Sequence, residues 1–295
     1  MKHLSLSDYL KNEYGEKYFK LSLSCSTTCP NRDGTCGDKG CIFCSMKGSG
    51  DFAQSALLPV SAQIEKAKSL VKRKSDNNRY IAYFQAFTST YGDEKYLENV
   101  FFETINRDDI AILSIATRPD CISDNMLSVL KKLNSIKPVW VELGLQSVFD
   151  STGQYIRRGY KTEVYFRTVE KLKKIGVHII THVIIGLPYE TKDMMVETVR
   201  KVGEATDGIK LQLLHVLKNT DLEKEYNDGK FQTLSMEEYA DILCECISVL
   251  PKDVVIHRLT GNGDKNTLVS PLWTRDKKRV LNYINHRIAE YEDNY

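Results

Sequence analysis

The sequence has almost no charge bias. Lys and Arg number 41 against 39 acids, a formal net charge of +2, whereas nucleic-acid-binding domains usually carry a strong basic excess. That balance removes any global electrostatic case for nucleic acid and leaves room only for a local basic face. Long apolar runs are missing too. The longest, near Val177 to Leu187, contains His178, Thr181 and His182, and is too short and too polar to span a bilayer. The opening Met1-Lys2-His3-Leu4-Ser5 lacks an apolar core followed by a cleavage site, so a secretory signal is not expected. There is no low-complexity segment, no long linker and no solenoid-type repeat. The expectation is a cytoplasmic protein with no membrane partner. Its 295 residues are enough for one large α/β domain or two small ones. A hydrophobic share of 42% with 27% charged is a globular balance.

Cysteine is what the chain does have. Of eight cysteines, five (Cys25, Cys29, Cys36, Cys41 and Cys44) crowd into one segment. Gly34, Gly37, Gly40, Asp33 and Asp38 share that segment, so it reads as a loop. Thiols gathered on a loop form disulfides or bind metal, and reducing conditions in the cytoplasm favour metal. Two metal chemistries stay open. A structural zinc site takes four ligands, often as two close pairs: Cys41 with Cys44, and Cys25 with Cys29 as a looser second. An iron–sulfur cluster held by three thiolates leaves one iron open. Cys121, Cys244 and Cys246 fall in or beside expected helices, where cysteine acts as a small hydrophobe.

Strand and helix signals alternate along the chain. Strands are expected at Tyr18–Ser24, Tyr80–Phe87, Ile110–Ala116, Val139–Leu145, Val177–Ile185 and Ile209–His215. Helical spacing appears over Pro59–Lys74, Tyr96–Ile105, Ser123–Leu133, Val164–Lys174 and Thr191–Val202. Six mostly buried strands alternating with helices predict a parallel sheet with right-handed crossovers. Six units are fewer than the eight of a closed barrel. The fold class is therefore α/β, a partial (βα)6 TIM-like barrel open on one side, with a C-terminal α/β extension. The extension holds a helix at Ser235–Val249 begun by a capping box, a strand at Val254–Leu259 and a terminal helix at Arg275–Tyr291. Lys72-Arg73-Lys74 and Lys171, Lys173 and Lys174 read as solvated helix faces.

In parallel α/β folds chemistry collects at the C-terminal ends of the strands. Strand one delivers the cysteine loop. The next four end at Gln85 to Thr88, Thr117-Arg118-Pro119-Asp120, Gln146-Ser147 and Gly186-Leu187-Pro188, and the sixth ends at His215. Alternation puts Glu142, Gly144 and Gln146 on one face of strand four. Facing the barrel interior, an unpaired Glu142 carboxylate would be costly, so contact with a ligand is expected there.

The cysteine loop, its place after the first strand, and the later strand ends together resemble a radical S-adenosylmethionine (SAM) enzyme. The spacing C-x3-C-x2-C, commonest in that superfamily, is not met, since Cys25-x3-Cys29 is followed by Arg32 where a third cysteine would be required. Cys29-x11-Cys41-x2-Cys44 resembles instead the family related to the Elongator catalytic subunit. The elements Cys29-Pro30-Asn31-Arg32-Asp33-Gly34 and Gly40-Cys41-Ile42-Phe43-Cys44 resemble its bacterial MnmL/YhcC-type branch. The likeness extends through His257-Arg258-Leu259-Thr260-Gly261 and Pro271-Leu272-Trp273.

This resemblance implies a 4Fe-4S cluster on Cys29, Cys41 and Cys44, with Cys25 the rival to Cys29, and SAM on the open iron. It implies a barrel over residues 1–215 with its cluster loop at 25–47, and an extension over 216–295 packed on the barrel. Gln85, Thr88, Arg118, Asp120, Glu142, Gln146, Arg158, Gly186 and Leu187 are the implied SAM-binding residues. Several have plainer readings: Gln85 and Thr88 as a strand cap, Arg118 ion-paired with Asp120, Arg158 at a solvated helix end, Gly186-Leu187-Pro188 as a turn. His182 and His215 are the catalytic candidates, against a hydrogen-bonded ring and a sheet cap. His257 and Arg258 could reach substrate or sit on a solvated edge strand. The reduced cluster breaks SAM to a deoxyadenosyl radical, so an electron donor such as flavodoxin or ferredoxin is implied. Relatives in this branch imply tRNA as substrate, with a carboxymethylaminomethyl-uridine at the wobble position converted toward aminomethyl-uridine. Hydrogen removal beside the amine nitrogen suits that change, because nitrogen stabilises the resulting radical. No segment resembles the acetyltransferase domain of the Elongator subunit, so that full reaction is not expected. Two other functions stay open: a radical SAM enzyme acting on a small metabolite or peptide, and a zinc-binding RNA or protein adaptor.

Overall fold

A computed structural model of the chain describes residues 3–48, 50, 52–71, 78–261 and 263–294. Seven strands form one parallel sheet: β1 (Phe19–Leu23), β2 (Tyr80–Phe84), β3 (Ile110–Thr117), β4 (Val139–Gln146), β5 (His178–Ile185), β6 (Gly208–Leu213) and β8 (Val255–Arg258). They lie side by side in that order, each pair parallel. The helices α2 (Val60–Val71), α3 (Glu94–Ile105), α4 (Asp124–Asn134), α6 (Thr162–Lys174) and α7 (Lys192–Gly203) connect them. The six expected units are all present. The late strand, expected within the extension, adds a seventh to the same sheet, with Gly208 paired to Val255 and Lys210 to Arg258. The expected helix end at 72–74 lies outside the described residues.

Local chemistry explains the helix starts. Asp93, Ser123, Thr191 and Ser235 each accept a hydrogen bond from a backbone N–H of the first turn, the role of an N-cap. Ser235 and Glu238 complete the expected capping box of α9 (Met236–Ser248). Strands β2 and β3 are buried along their whole length, which is why they read as continuous apolar runs. The main core lies between the sheet and its helices, with Phe84, Phe101, Leu113, Val141, Leu143 and Tyr165 among its fully or almost fully buried members.

Five elements are not marked in the sequence pattern. Helix α1 (Leu6–Tyr14) packs Leu10 into a cluster with Ile112, Trp140 and Ile180, near the N-terminal ends of the strands. Short helices α5 (Asp150–Tyr155) and α8 (Asp221–Asn227) brace the other end, and β7 (Val216–Leu217) pairs antiparallel with β9 (Leu268–Ser270). Helix α10 (Lys277–Asn294) closes the chain. Among the described residues no helix is long and apolar enough to cross a membrane.

The rings of Phe84 and Phe101 meet edge-on with centroids 5.2 Å apart, tying α3 to β2. Phe101→Ala should lower the unfolding free energy by about 3–5 kcal/mol through lost transfer energy and the cavity left behind. Urea unfolding followed by circular dichroism measures this.

Candidate active site

The cysteine loop is built by its own motif. Asn31 is buried, and its amide donates to the carbonyls of Arg157 (2.6 Å) and Arg158 (3.1 Å) and to Cys41 Sγ (3.5 Å). Arg32 donates to the carbonyls of Cys44 (3.1 Å) and Ser45 (2.7 Å) and stacks over Phe87. Two glycines make room for these side chains. A Cβ on Gly40 would lie 2.9 Å from Arg32 Nε, and one on Gly159 would lie 2.4 Å from Asn31 Oδ1; both residues also have positive φ, which glycine adopts freely. The loop is pinned by later segments as well: Ile42 N–H donates to Ile156 O, and Leu222 N–H to Ile42 O.

Cys29, Cys41 and Cys44 line one cavity of about 280 Å³. They lie close enough to act on one another electrically: burial pushes the Cys41 thiol up to about 12, with Cys44 and Cys29 adding to the rise. Cys25 is turned away into the core, donating to Ser89 O at 3.6 Å. Cys36 is exposed. Among the described residues no three His, Cys, Asp or Glu side chains are grouped to hold a single metal ion, the arrangement a mononuclear zinc site needs.

Eleven of the fourteen expected site residues line this cavity: the three cysteines with Gln85, Thr88, Arg118, Glu142, Gln146, Arg158, His182 and His215. The other three do not. Asp120 is taken up by Arg118, which donates to its two oxygens at 2.9 and 2.7 Å, the plainer of the two readings. Arg118 itself still faces the cavity, with its guanidinium 5.2 Å from the Tyr160 ring. Gly186 is set against Leu234, and Leu187 is buried with Ile42, Ile156, Leu214 and Leu222. That pair supports the cysteine loop from behind instead of offering backbone to a ligand.

Two lining residues have other duties than expected. Arg158 is buried, not at a solvated helix end, and its donors are all used. Nε reaches Tyr160 O (3.0 Å); one terminal nitrogen reaches Leu145 O (3.2 Å) and Ser147 O (2.6 Å); the other reaches Asp150 (3.0 Å) and Thr162 (2.9 Å). A guanidinium has five N–H groups, so none remains for a SAM carboxylate. Arg158 clamps the turn between β4 and α6.

Glu142 was expected to meet a ligand because its carboxylate would be unpaired. It is fully buried and thoroughly paired. Oε1 accepts from Lys20 (2.9 Å) and Ser114 (2.7 Å); Oε2 accepts from Lys210 and lies 2.7 Å from His182 Nε2. Burial opposes ionisation, but Lys20, Lys210 and the His182 hydrogen bond hold the carboxyl well below its usual range. Lys210 also donates to Tyr83 OH at 3.1 Å. The sequence reading passed over Lys20, Tyr83 and Lys210, although each sits on the same alternating face of its strand as other polar residues.

Two buried polar atoms in the cavity wall have no partner among the described residues: Gln85 Nε2 and His215 Nε2. An amide donor left open beside three thiols fits a polar ligand such as the amino-acid end of SAM, and three thiols with no fourth fit a cluster with one iron free.

Comparison with known proteins defines the class. Residues 24–202 match the radical SAM superfamily, and residues 206–290 match the radical SAM C-terminal domain. The chain belongs to the radical SAM superfamily. It is a radical SAM enzyme, using a 4Fe-4S cluster and SAM. It is 40% identical over 285 residues to the uncharacterized protein YtqA of Bacillus subtilis, covering 96% of this chain and 88% of that one. It is 35% identical over 270 residues to YhcC of Escherichia coli, covering 91% and 86%. A more distant match, 27% over 151 residues, is to a tRNA uridine(34) acetyltransferase of Methanocaldococcus infernus, covering 50% of this chain and 28% of that one. The solved structure of Elp3 from the same archaeon shares the fold, with a TM-score of 0.68 at 16% identity over 92% of this chain and 64% of that one.

Burial pushes the rings of His182 and His215 down to about 4 from the ordinary 6.5, and Lys210 reinforces the effect at His182. The unfolded chain takes up these protons near pH 6.5, whereas the folded chain resists until about pH 4. Stability is therefore full above pH 6.5 and declines as pH falls toward 4. Urea midpoints across that range should show the decline, and His215→Gln should make it shallower.

Proposed function

We propose that this radical SAM enzyme modifies the wobble uridine of tRNA, carrying a carboxymethylaminomethyl group toward aminomethyl. The observation that carries this reading is the match to a tRNA uridine(34) acetyltransferase, beside the fold this chain shares with the archaeal Elp3 structure. The protein works in the cytoplasm with an electron donor such as flavodoxin or ferredoxin. Residues 1–215 form the catalytic barrel and 216–295 an extension packed on it, with β8 returned to the sheet.

Cys29, Cys41 and Cys44 hold the cluster, because only these three of the loop's five cysteines line the cavity. When bound, cluster and SAM together supply a deoxyadenosyl radical able to take hydrogen from carbon. The chain's own residues provide the setting. Asn31 and Arg32 set the shape of the cysteine loop through backbone carbonyls. Gln85, Thr88 and Arg118, at the ends of β2 and β3, present polar groups toward the amino-acid end of SAM. Gln146 is held at φ 69° where β4 ends, a conformation that costs a non-glycine residue roughly 1–3 kcal/mol and that directs its amide into the cavity. His182, already bonded to Glu142, and His215, with Nε2 open, are placed to move or hold a proton. Burial on the remaining sides keeps bulk water from the reacting carbon.

Two measurements test this. In anaerobically reconstituted protein with SAM and dithionite, Cys41→Ala should abolish deoxyadenosine formation, while Cys36→Ala should leave it intact. Equal loss in both variants would remove the ligand assignment. Transfer RNA from cells lacking the gene should carry an altered wobble-nucleoside mass profile, and an unchanged profile would remove the substrate.

A further inference from the structure

Every strand of the sheet sends at least one polar side chain inward, among them Lys20, Tyr83, Ser114, Glu142, His182, Lys210 and Arg258. Among the described residues, the cations of the cavity wall are Arg32, Arg118, Arg158, Lys210 and Arg258, and the acid they face is Glu142. Four of the five are accounted for within the protein. Arg32 is held by backbone carbonyls, Arg118 by Asp120, Arg158 by Asp150 and carbonyls, and Lys210 by Glu142. Arg258 is different. It is half-buried at the C-terminal end of β8, and among the described residues nothing hydrogen-bonds or ion-pairs with it.

Its neighbours make the vacancy sharper. Gly144, His182, Lys210 and Arg258 are successive partners across β4, β5, β6 and β8, so Arg258 stands beside a second cation in the same row. Its charge is felt at Tyr83, Lys210 and His215, and Glu142 is already shared between two lysines. A guanidinium enclosed in a cavity without a counter-ion is unfavourable, and its planar fork matches an anion with two oxygens.

We infer that Arg258 is the specificity-determining anchor for a carboxylate of the substrate. This rests on the tRNA reading above, in which the group being shortened ends in a carboxylate. Held at the end of β8, that carboxylate would draw the neighbouring methylene and amine nitrogen into the cavity that the three cysteines line. A nucleic-acid phosphate or the carboxylate of SAM has the same chemistry, so the test must separate them.

Reconstituted enzyme with SAM is titrated with two tRNAs that differ only in carrying carboxymethylaminomethyl-uridine or aminomethyl-uridine at the wobble position. The wild type should prefer the carboxylate form by at least roughly tenfold. Arg258→Gln should lose the preference, and Arg258→Lys should keep part of it. No preference in the wild type overturns the inference. So does an equal weakening of both tRNAs in Arg258→Gln, which would mark a phosphate contact, or a matching loss of SAM affinity, which would mark the SAM carboxylate. A second readout needs no tRNA. Phenylglyoxal labelling of Arg258, mapped by mass spectrometry, should be slowed by N-methylglycine and not by its amide. If neither tRNA binds, the substrate reading fails and labelling alone decides: protection by the carboxylate supports the anchor, and its absence overturns it.

Discussion

Glu142 is the interaction on which the interior of this barrel depends. Its carboxylate joins β4 to Lys20 on β1, Ser114 on β3, His182 on β5 and Lys210 on β6. A half-barrel has a concave face that helices do not cover, and an apolar lining there would collapse or recruit other apolar surface. The ionic network lets that face stay polar with its charges paired. Such a network earns little net stability against a well-packed apolar core, but removing one member leaves the others charged and unpaired in a low-dielectric site. Its value is therefore architectural, since it holds the inward rows of the strands in register around a space that remains open.

The cysteine loop depends on a second constraint, which comes from segments far along the chain. Asn31 grips the carbonyls of Arg157 and Arg158, and Arg158 in turn clamps Leu145, Ser147, Asp150, Tyr160 and Thr162. Leu187, Leu214 and Leu222 pack behind Ile42. Three thiols on a glycine-rich loop would otherwise be mobile. Here they are held by buried hydrogen bonds on one side and an apolar cluster on the other, which suits ligands that must keep one metal corner free. The electrostatics of the cavity follow from these two supports. Among the described residues, the other cations of the cavity wall each have a protein partner, whereas the Arg258 guanidinium on the last strand has none.

Much of this was legible in the chain. Strand and helix positions followed from apolar periodicity, because parallel strands buried on both faces must be apolar throughout. Cys41-x2-Cys44 and the earlier Cys29 marked the loop, and the rule that chemistry gathers at strand ends pointed to Gln85, Thr88, Arg118, Gln146 and His215, which line one cavity. What stayed out of reach has one cause. Sequence shows the charges of Arg158, Glu142 and Asp120 but not the partners that neutralise them. Lys20 and Lys210 were passed over for the converse reason, since a lysine in an apolar strand is explicable only once Glu142 is known to lie across the sheet. Helix α1 was missed because it is short, and its amphipathic face acquires meaning only against Trp140 and Ile180.

The order of residues alone determined the class of fold and the cysteine spacing, because backbone periodicity and ligand spacing are local properties of a chain. Tertiary structure decided which charges are spent on one another and which remain available. Coulomb interaction between buried groups acts across strands more than a hundred residues apart, as Lys20 and Glu142 show, and no local pattern encodes it. That is why Arg258, unremarkable as text, stands out only when the partners of the other described cations around it are known.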